Sequence, residues 1–563
     1  MKVSWIGDNS DTVKYLIHFV VSDCMIIPDD LCADMVFLNG NVITVDEENS
    51  LAEAVSVKNG RILRVGSNEY VKETIGSKTA VHDLDGRTLL PGLIDSHMHP
   101  GGSWGAYLVR GVACGPDFEN VEDMIEAVRE KVALTPKGNW ILGYGMDDVK
   151  MGRYPTREEL DDVAPDNPLY IQRRDGHNGV ANSLALEKAG IGGDTPDPEH
   201  GKIERDSTGE PTGLLRESAK DLVYHKMPPY SEDELYEGLK LVYDTCISYG
   251  LTTIHASMVS PAEFRAMQRL KREGNLKVRT CIHLSGRDTG MVEGAISMGL
   301  ETPFGDEWLK ITEAEWVFDT STSGRTAAYY EPYVGEPENT GILLYDQEDI
   351  ERRVWEAHNA GIRVGLDGVG DRGIDRALDA IEKALDKKPM IDHRHRIEHC
   401  CYVTPNIQDR LLKLGVIDAS ATGFLHDLGD AYLANRGEKA MMYMWPHRTL
   451  IDRGIKAPGH SDASICTPNP WYGIYGMVTR KTSSGKVLFK GEAVEPIEAI
   501  RAYSIDGAYS SWEEKDKGSI EPGKLADLIV VDKDPLNINY DELKNIVTLM
   551  TVINGKIVYK NKT

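Results

Sequence analysis

Positive charge is what this chain has least of: 63 Lys and Arg stand against 89 Asp and Glu, giving a formal net charge of -26 and a pI near 5.1. Such a surface has no global attraction for phosphate backbones or anionic headgroups, so neither nucleic acid nor a membrane is an expected partner. Long apolar runs are missing as well. The short run from Tyr15 to Val21 is broken by His18 and has neither a strongly basic leader nor a small-residue cleavage site, so the chain reads as soluble and unexported. Cysteine is sparse: the 8 residues contain no Cys-x-x-Cys, and adjacent Cys400 and Cys401 do not suggest a disulfide framework. A reducing, cytoplasmic compartment is expected.

What the chain does have is length and strand-like texture. At 563 residues it exceeds one ordinary domain, and one large domain with a smaller companion is expected. Residues 1–32 carry no clear period and read as an N-terminal extension, with Met25 an alternative start. From 33 to 90, short alternating runs are punctuated by Asn39-Gly40 and Asn59-Gly60, the strongest short-range hairpin signal. The same texture returns over 519–563, so the two ends are predicted to form one discontinuous β-sandwich.

Between them the pattern alternates helix and strand. Ser231 and Glu234 start a helix with a capping box, and Leu235, Leu239, Val242 and Cys246 form its apolar face. Strands are predicted at 251–256, 278–284, 309–318, 362–367, 395–399, 416–421 and 455–462. With the buried run ending in Ile94-Asp95-Ser96-His97-Met98-His99-Pro100 they make eight, an α/β arrangement that closes as a (β/α)8 TIM barrel over 91–518, with chemistry at the C-terminal strand ends. Residues 117–230 are too long for a barrel connection and are predicted to form an inserted subdomain over the site.

On the first of these strands His97 and His99, two apart, share a face, as the first pair of ligands to a divalent ion would. Asp95 lies one step deeper on that face. Reading off the later strand ends adds Glu315, Asp367, His399 and Asp462: three imidazoles and three carboxylates, a donor set able to hold one or two divalent ions. Each alone has a plainer explanation, such as a helix cap for Asp367 or Asp462. Their common placement at strand ends favours a metal site.

Several longer motifs, among them LLPGLIDSHMHP, GEPTGLLRE, SGRTAAYYEP, HRIEHC, GHSDAS with NPWYGIYGMVTR, and KGSIEPGKLADLIVVD, resemble the YtcJ-like branch of the amidohydrolase superfamily from about Ala33 onward. The resemblance implies a metal-dependent hydrolase of small molecules, acting on amide-like C-N bonds outside peptides through a metal-activated water. It makes His97, His99, His399 and Asp462 ligands, and Asp462 also the general base. Two positions depart from the family pattern: Glu315 stands where a carboxylated lysine is usual, and Asp367 where a histidine is usual. Glu315, like a carbamate, offers two oxygens and one negative charge, whereas Asp367 exchanges a nitrogen for an oxygen and makes the donor set harder, so Zn2+ or Mn2+ is expected, with Fe2+ a third candidate. Thr422-Gly423 is a smaller departure, from a common Gln-Pro. His177 is the candidate for contacting the substrate or its developing oxyanion, and Arg325 and Trp140 read as structural. A homodimer is expected. The alternative reactions on the same metal are C-C hydrolysis of a cyclic diketone, hydration or decarboxylation; a metal-free binding protein is the other rival.

Overall fold

Local signals place the elements. Ser231 and Glu234 make the reciprocal capping box, and the helix Glu232–Ser248 buries Leu235, Leu239, Val242 and Cys246. At Asn59-Gly60 both residues have positive φ (50° and 76°), as a two-residue hairpin between right-twisted strands requires, and Ala54–Lys58 pairs with Arg61–Gly66 across it. The computed structural model describes residues 32–115, 118–173, 178–199, 201–287 and 289–561. The expected extension up to residue 31 and His177 lie outside the described residues.

Strands Met35–Leu38, Ala54–Lys58, Arg61–Gly66 and Ala80–Asp83 form a four-stranded sheet. A six-stranded sheet combines Asn41–Ile43, Leu51–Ala52 and Thr88–Pro91 with Leu528–Val531, Thr548–Ile553 and Lys556–Lys560. The chain's two ends meet where Thr88–Pro91 pairs antiparallel with Leu528–Val531. Phe37, Val55 and Val57 from one sheet pack with Val42, Leu89 and Val530 from the other in a single apolar cluster.

The run that begins at Leu89 divides at Gly92, with Thr88–Pro91 in this six-stranded sheet and Leu93–Met98 in the barrel. A Cβ at Gly92 would lie 2.2 Å from Thr252 Oγ1, so a glycine is needed where the chain crosses from one unit to the other.

Seven parallel strands, Leu93–Met98, Leu251–Val259, Arg279–Ser285, Leu309–Trp316, Val364–Gly368, Arg396–His399 and Ile417–Ser420, pair in sequence order around the barrel. A regular eighth strand over Ile455 to Asp462 is absent. In its place an extended segment bridges the seventh strand and the first: Asp418 N–H donates to Lys456 O (3.0 Å), Ser96 N–H to Gly459 O (3.2 Å) and Asp462 N–H to His97 O (3.0 Å). Pro458 has no N–H to donate, which interrupts a ladder there. The barrel is nearly closed all the same.

Between the first two barrel strands lies a six-stranded sheet. Its order is Gly201–Arg205, Pro211–Glu217, Asn178–Ala181, Leu169–Arg173, Ile141–Met146 and Gly111–Ala113. Its edge strand thus precedes residue 117, and Trp140 is buried in its core. Among the described residues Cys114, Cys246, Cys281, Cys400, Cys401 and Cys466 are buried and in no disulfide, and no helix is long and apolar enough to cross a membrane.

Candidate metal centre

On the sixth strand Arg396 and Glu398 face the barrel axis, where they meet Ser96 and His97 of the first strand. Strict alternation would turn His399 away from the axis. Positive φ at His399 (66°) and Cys400 (36°) turns the backbone at the strand end, and the His399 ring comes to 4.7 Å from that of His97, stacked on Phe424. Asp462 is also in the left-handed region (φ 54°). Such conformations in residues other than glycine cost about 1–3 kcal/mol each and concentrate at functional sites.

The ligating atoms of His97, His99 and Asp462 lie within 4.8 Å of one another. Asp462 Oδ1 is 3.1 Å from His99 Nε2 and 3.6 Å from His97 Nε2, and across the mouth Asp367 Oδ2 is 3.8 Å from His399 Nε2. His97 Nε2, His399 Nδ1, Asp367 Oδ1 and Asp462 Oδ1 are buried with no hydrogen-bond partner. Buried polar atoms are normally paired, and each left alone costs about 1–3 kcal/mol. Two of them, His97 Nε2 and Asp462 Oδ1, converge with His99 in one group of ligand atoms that fits a divalent cation of the Zn2+, Mn2+ or Fe2+ kind, and Asp367 and His399 stand beside that group. His99 is the open edge, its side chain 29% exposed against 1% for His97.

Burial and the neighbouring His399, His460 and His99 rings push the His97 imidazole well below its ordinary range, leaving it neutral as a ligand must be. Burial acts the same way on His399, but Asp367 and Asp462 outweigh it and hold that ring up at about 9. Burial raises Asp95 to about 7 although Ser461 and the His97 N–H donate to it.

Glu315 points into the barrel, as its strand register predicts, but its carboxylate is engaged elsewhere. Ser257 Oγ donates to Oε1 (2.6 Å) and His283 Nδ1 bonds Oε2 (2.9 Å). Burial and the carboxylates of Asp367, Glu398 and Glu313 push it well above the usual carboxylic range. The structure thus groups Glu315 with His283 and Glu313, and a further group, His97, His283 and Glu398, joins it to that of His97, His99 and Asp462. Glu313, one layer deeper, pairs with Arg363 Nη2 at 2.7 Å. Arg325 donates to Glu336 on its own loop and to Asn435 on the helix Gly429–Arg436.

Sequence reasoning missed His283, Glu398 and Arg396. The available signal was polar residues two apart inside otherwise apolar strands, as in Arg396-Ile397-Glu398 and Glu313-Ala314-Glu315. It shows that they face the axis but not which strand they meet.

Comparison with known proteins follows the same lines. A profile of the amidohydrolase family matches residues 80–559. An N-substituted formamide deformylase from Arthrobacter pascens is 30% identical over 537 residues, covering 94% of this chain and 98% of that protein. A Bacillus subtilis (strain 168) protein assigned to the amidohydrolases as YtcJ is 30% identical over 532 residues, covering 92% and 98%. Among solved structures, an uncharacterized metal-dependent hydrolase from Pyrococcus horikoshii OT3 superimposes with a TM-score of 0.74 at 25% identity, covering 90% of this chain and 99% of that one.

Proposed function

The chain belongs to the amidohydrolase family, and from that premise we propose that it hydrolyses an amide-like, non-peptide C-N bond of a small molecule. The observation that carries this reading is the convergence of ligand atoms of His97, His99 and Asp462 at one mouth of the barrel, with His97 Nε2 and Asp462 Oδ1 buried and unpaired. His97, His99 and Asp462 would hold one divalent ion, with Asp367 and His399 opposite them. When bound, such an ion polarises the scissile carbonyl and lowers the pKa of water.

The protein's own groups supply the rest. Asp462, between the rings of His97 and His99, takes a proton from the attacking water and returns it to the leaving nitrogen, so acid and base are one residue. His99 marks the side from which substrate arrives. Phe424, stacked on His399, shields that ring from the barrel wall side. The relative from Arthrobacter pascens is named for N-substituted formamides, which makes that class the first to test. A reducing cytoplasm and a homodimer complete the proposal; the buried thiols of Cys114, Cys246, Cys281, Cys400, Cys401 and Cys466, in no disulfide, suit the first, and light scattering tests the second.

The experiment is an activity screen of metal-analysed protein with N-substituted formamides and other small amides. The expected result is release of amine that stops on chelation and returns with Zn2+ or Mn2+. Protein that binds no divalent ion, or that binds one and releases no amine from the panel, contradicts the proposal.

A further inference from the structure

We propose that Glu398, clamped by Arg396, is the positioning residue that holds His97 in the one tautomer able to bind a metal; this rests on the metal-centre reading above. Arg396 donates from Nε to Glu398 Oε1 (2.6 Å) and from Nη2 to Oε2 (2.7 Å). The same Nη2 donates to the carbonyl of Ser96 (2.9 Å), the residue just before His97. One guanidinium therefore fixes both the backbone that carries the ring and the carboxylate that receives it. A bidentate Arg–carboxylate pair is a rigid fork rather than a loose ion pair.

His97 Nδ1 lies 2.7 Å from Glu398 Oε2. A neutral imidazole has one N–H. Burial and Glu313 push Glu398 up to about 8 against the pull of Arg396, but the guanidinium can only donate and covers both oxygens, so the carboxylate it holds is the ionised, accepting form. The proton is therefore on Nδ1, and the Nε2 lone pair faces Asp462 and the mouth of the barrel. Glu398 is not itself placed to ligate: its two oxygens already accept three hydrogen bonds, and the charge of Arg396 lies beside it. His283 holds its Nδ1 on Glu315 and leaves Nε2 unpaired in the same cluster as His97 and Glu398, but the hydrogen bond that His97 Nδ1 makes is to Glu398. Arg396 and Glu398 are wholly buried, so water does not compete for these contacts.

Glu398→Gln is the informative variant because its amide satisfies neither arrangement. With the oxygen toward His97, the NH2 faces the donor Nε of Arg396. With the oxygen toward Nε, the NH2 faces His97 Nδ1 and drives the ring into the tautomer whose Nε2 carries the proton. Zn2+ affinity, measured by competition with a chromogenic chelator, is expected to weaken about 10–100-fold. A residue that only supports the fold would lower the melting temperature of the metal-free protein and leave Zn2+ affinity unchanged, and that result overturns the proposal. His97→Gln is the control: if it leaves Zn2+ affinity intact, the metal-centre reading fails; if it alone weakens binding, only the role of Glu398 fails. Should Glu398→Gln not fold, the wild-type protein decides the matter through ring-15N histidine spectra, with the His97 signals identified by their loss in His97→Gln. A protonated Nδ1 that persists while Zn2+ shifts Nε2 is expected. Zn2+ on Nδ1, or a proton on Nε2 in the metal-free protein, would refute it.

Discussion

His97-Met98-His99 and His393-Arg394-His395 have the same spacing, and the barrel puts them to opposite uses. The first pair ends the first strand at the C-terminal mouth, and the second precedes the sixth strand at its N-terminal end. In the second group every ring nitrogen has a partner. His358 Nε2 bonds Lys388 O (2.7 Å) and Nδ1 meets His395 Nε2 (2.9 Å); Val364 N–H donates to His395 Nδ1 (3.1 Å); His395 N–H donates to His393 Nδ1 (2.9 Å), and His393 Nε2 bonds Leu414 O (2.9 Å). Each ring gives one hydrogen bond and takes one, which is what a neutral imidazole can do. In the first group His97 Nε2 is left over. An unpaired ring nitrogen alone does not mark a ligand, since His255, His283, His447 and His460 each have one; what sets the first pair apart is that the Nε2 atoms of His97 and His99 both converge on Asp462.

The largest expected effect belongs to the mouth. Asp462→Asn keeps the shape but removes the basic carboxylate, and kcat should fall by roughly 10²–10⁴-fold with metal still bound. Near-normal turnover in a metal-loaded variant would end the general-base role and weaken the contrast between the two ends.

A smaller effect is expected at the other end. His395→Ala orphans His358 Nδ1 and Val364 N–H, at about 1–3 kcal/mol for each buried group left unpaired. Thermal melting of metal-free protein should detect this loss, whereas His99→Ala, at a partly exposed ring, should leave that melting curve nearly in place. Equal shifts in both variants would erase the distinction.

The mildest test is acid. Burial pushes His358, His393 and His395 below the ordinary histidine range, and pushes His447, bonded to Ser420, down to about 3. With the folded pKa below the unfolded value near 6.5, the unfolded chain binds the extra protons. Their contribution is complete above about pH 6.5 and declines as pH falls toward the folded values. Because Asp95 and Asp319, raised by burial to about 7, take up protons in the folded state over the same range, the readout is the ring-15N signal of His395 in folded protein, which should stay that of a neutral imidazole from pH 7.5 to 5. Protonation of that ring near pH 6.5 would mean that it is not held neutral.

Much of the fold was legible because periodicity is local. Seven barrel strands, the capped helix at Glu232–Ser248 and the hairpin at Asn59-Gly60 all follow from residues near one another in sequence. The eighth strand was not, because Pro458 removes a donor from an otherwise strand-like run. Within the site, His97 and His99 were readable from strand register. His399 was named from its place at a strand end and again by the family motif, but register alone points it off the axis, and only the left-handed backbone at His399 and Cys400 brings it back. Glu315 was correctly turned inward by register, yet its partners Ser257 and His283 come from two other strands, which no local pattern specifies. The same limit hid Glu398, whose contact with His97 spans 301 positions of sequence.

The most direct test of the central claim is a Zn2+ titration of metal-free wild type, His99→Ala and His393→Ala, read by competition with a chelator. The expected outcome is tight binding in wild type, retained in His393→Ala and lost in His99→Ala. Binding that survives His99→Ala and disappears in His393→Ala would contradict the account.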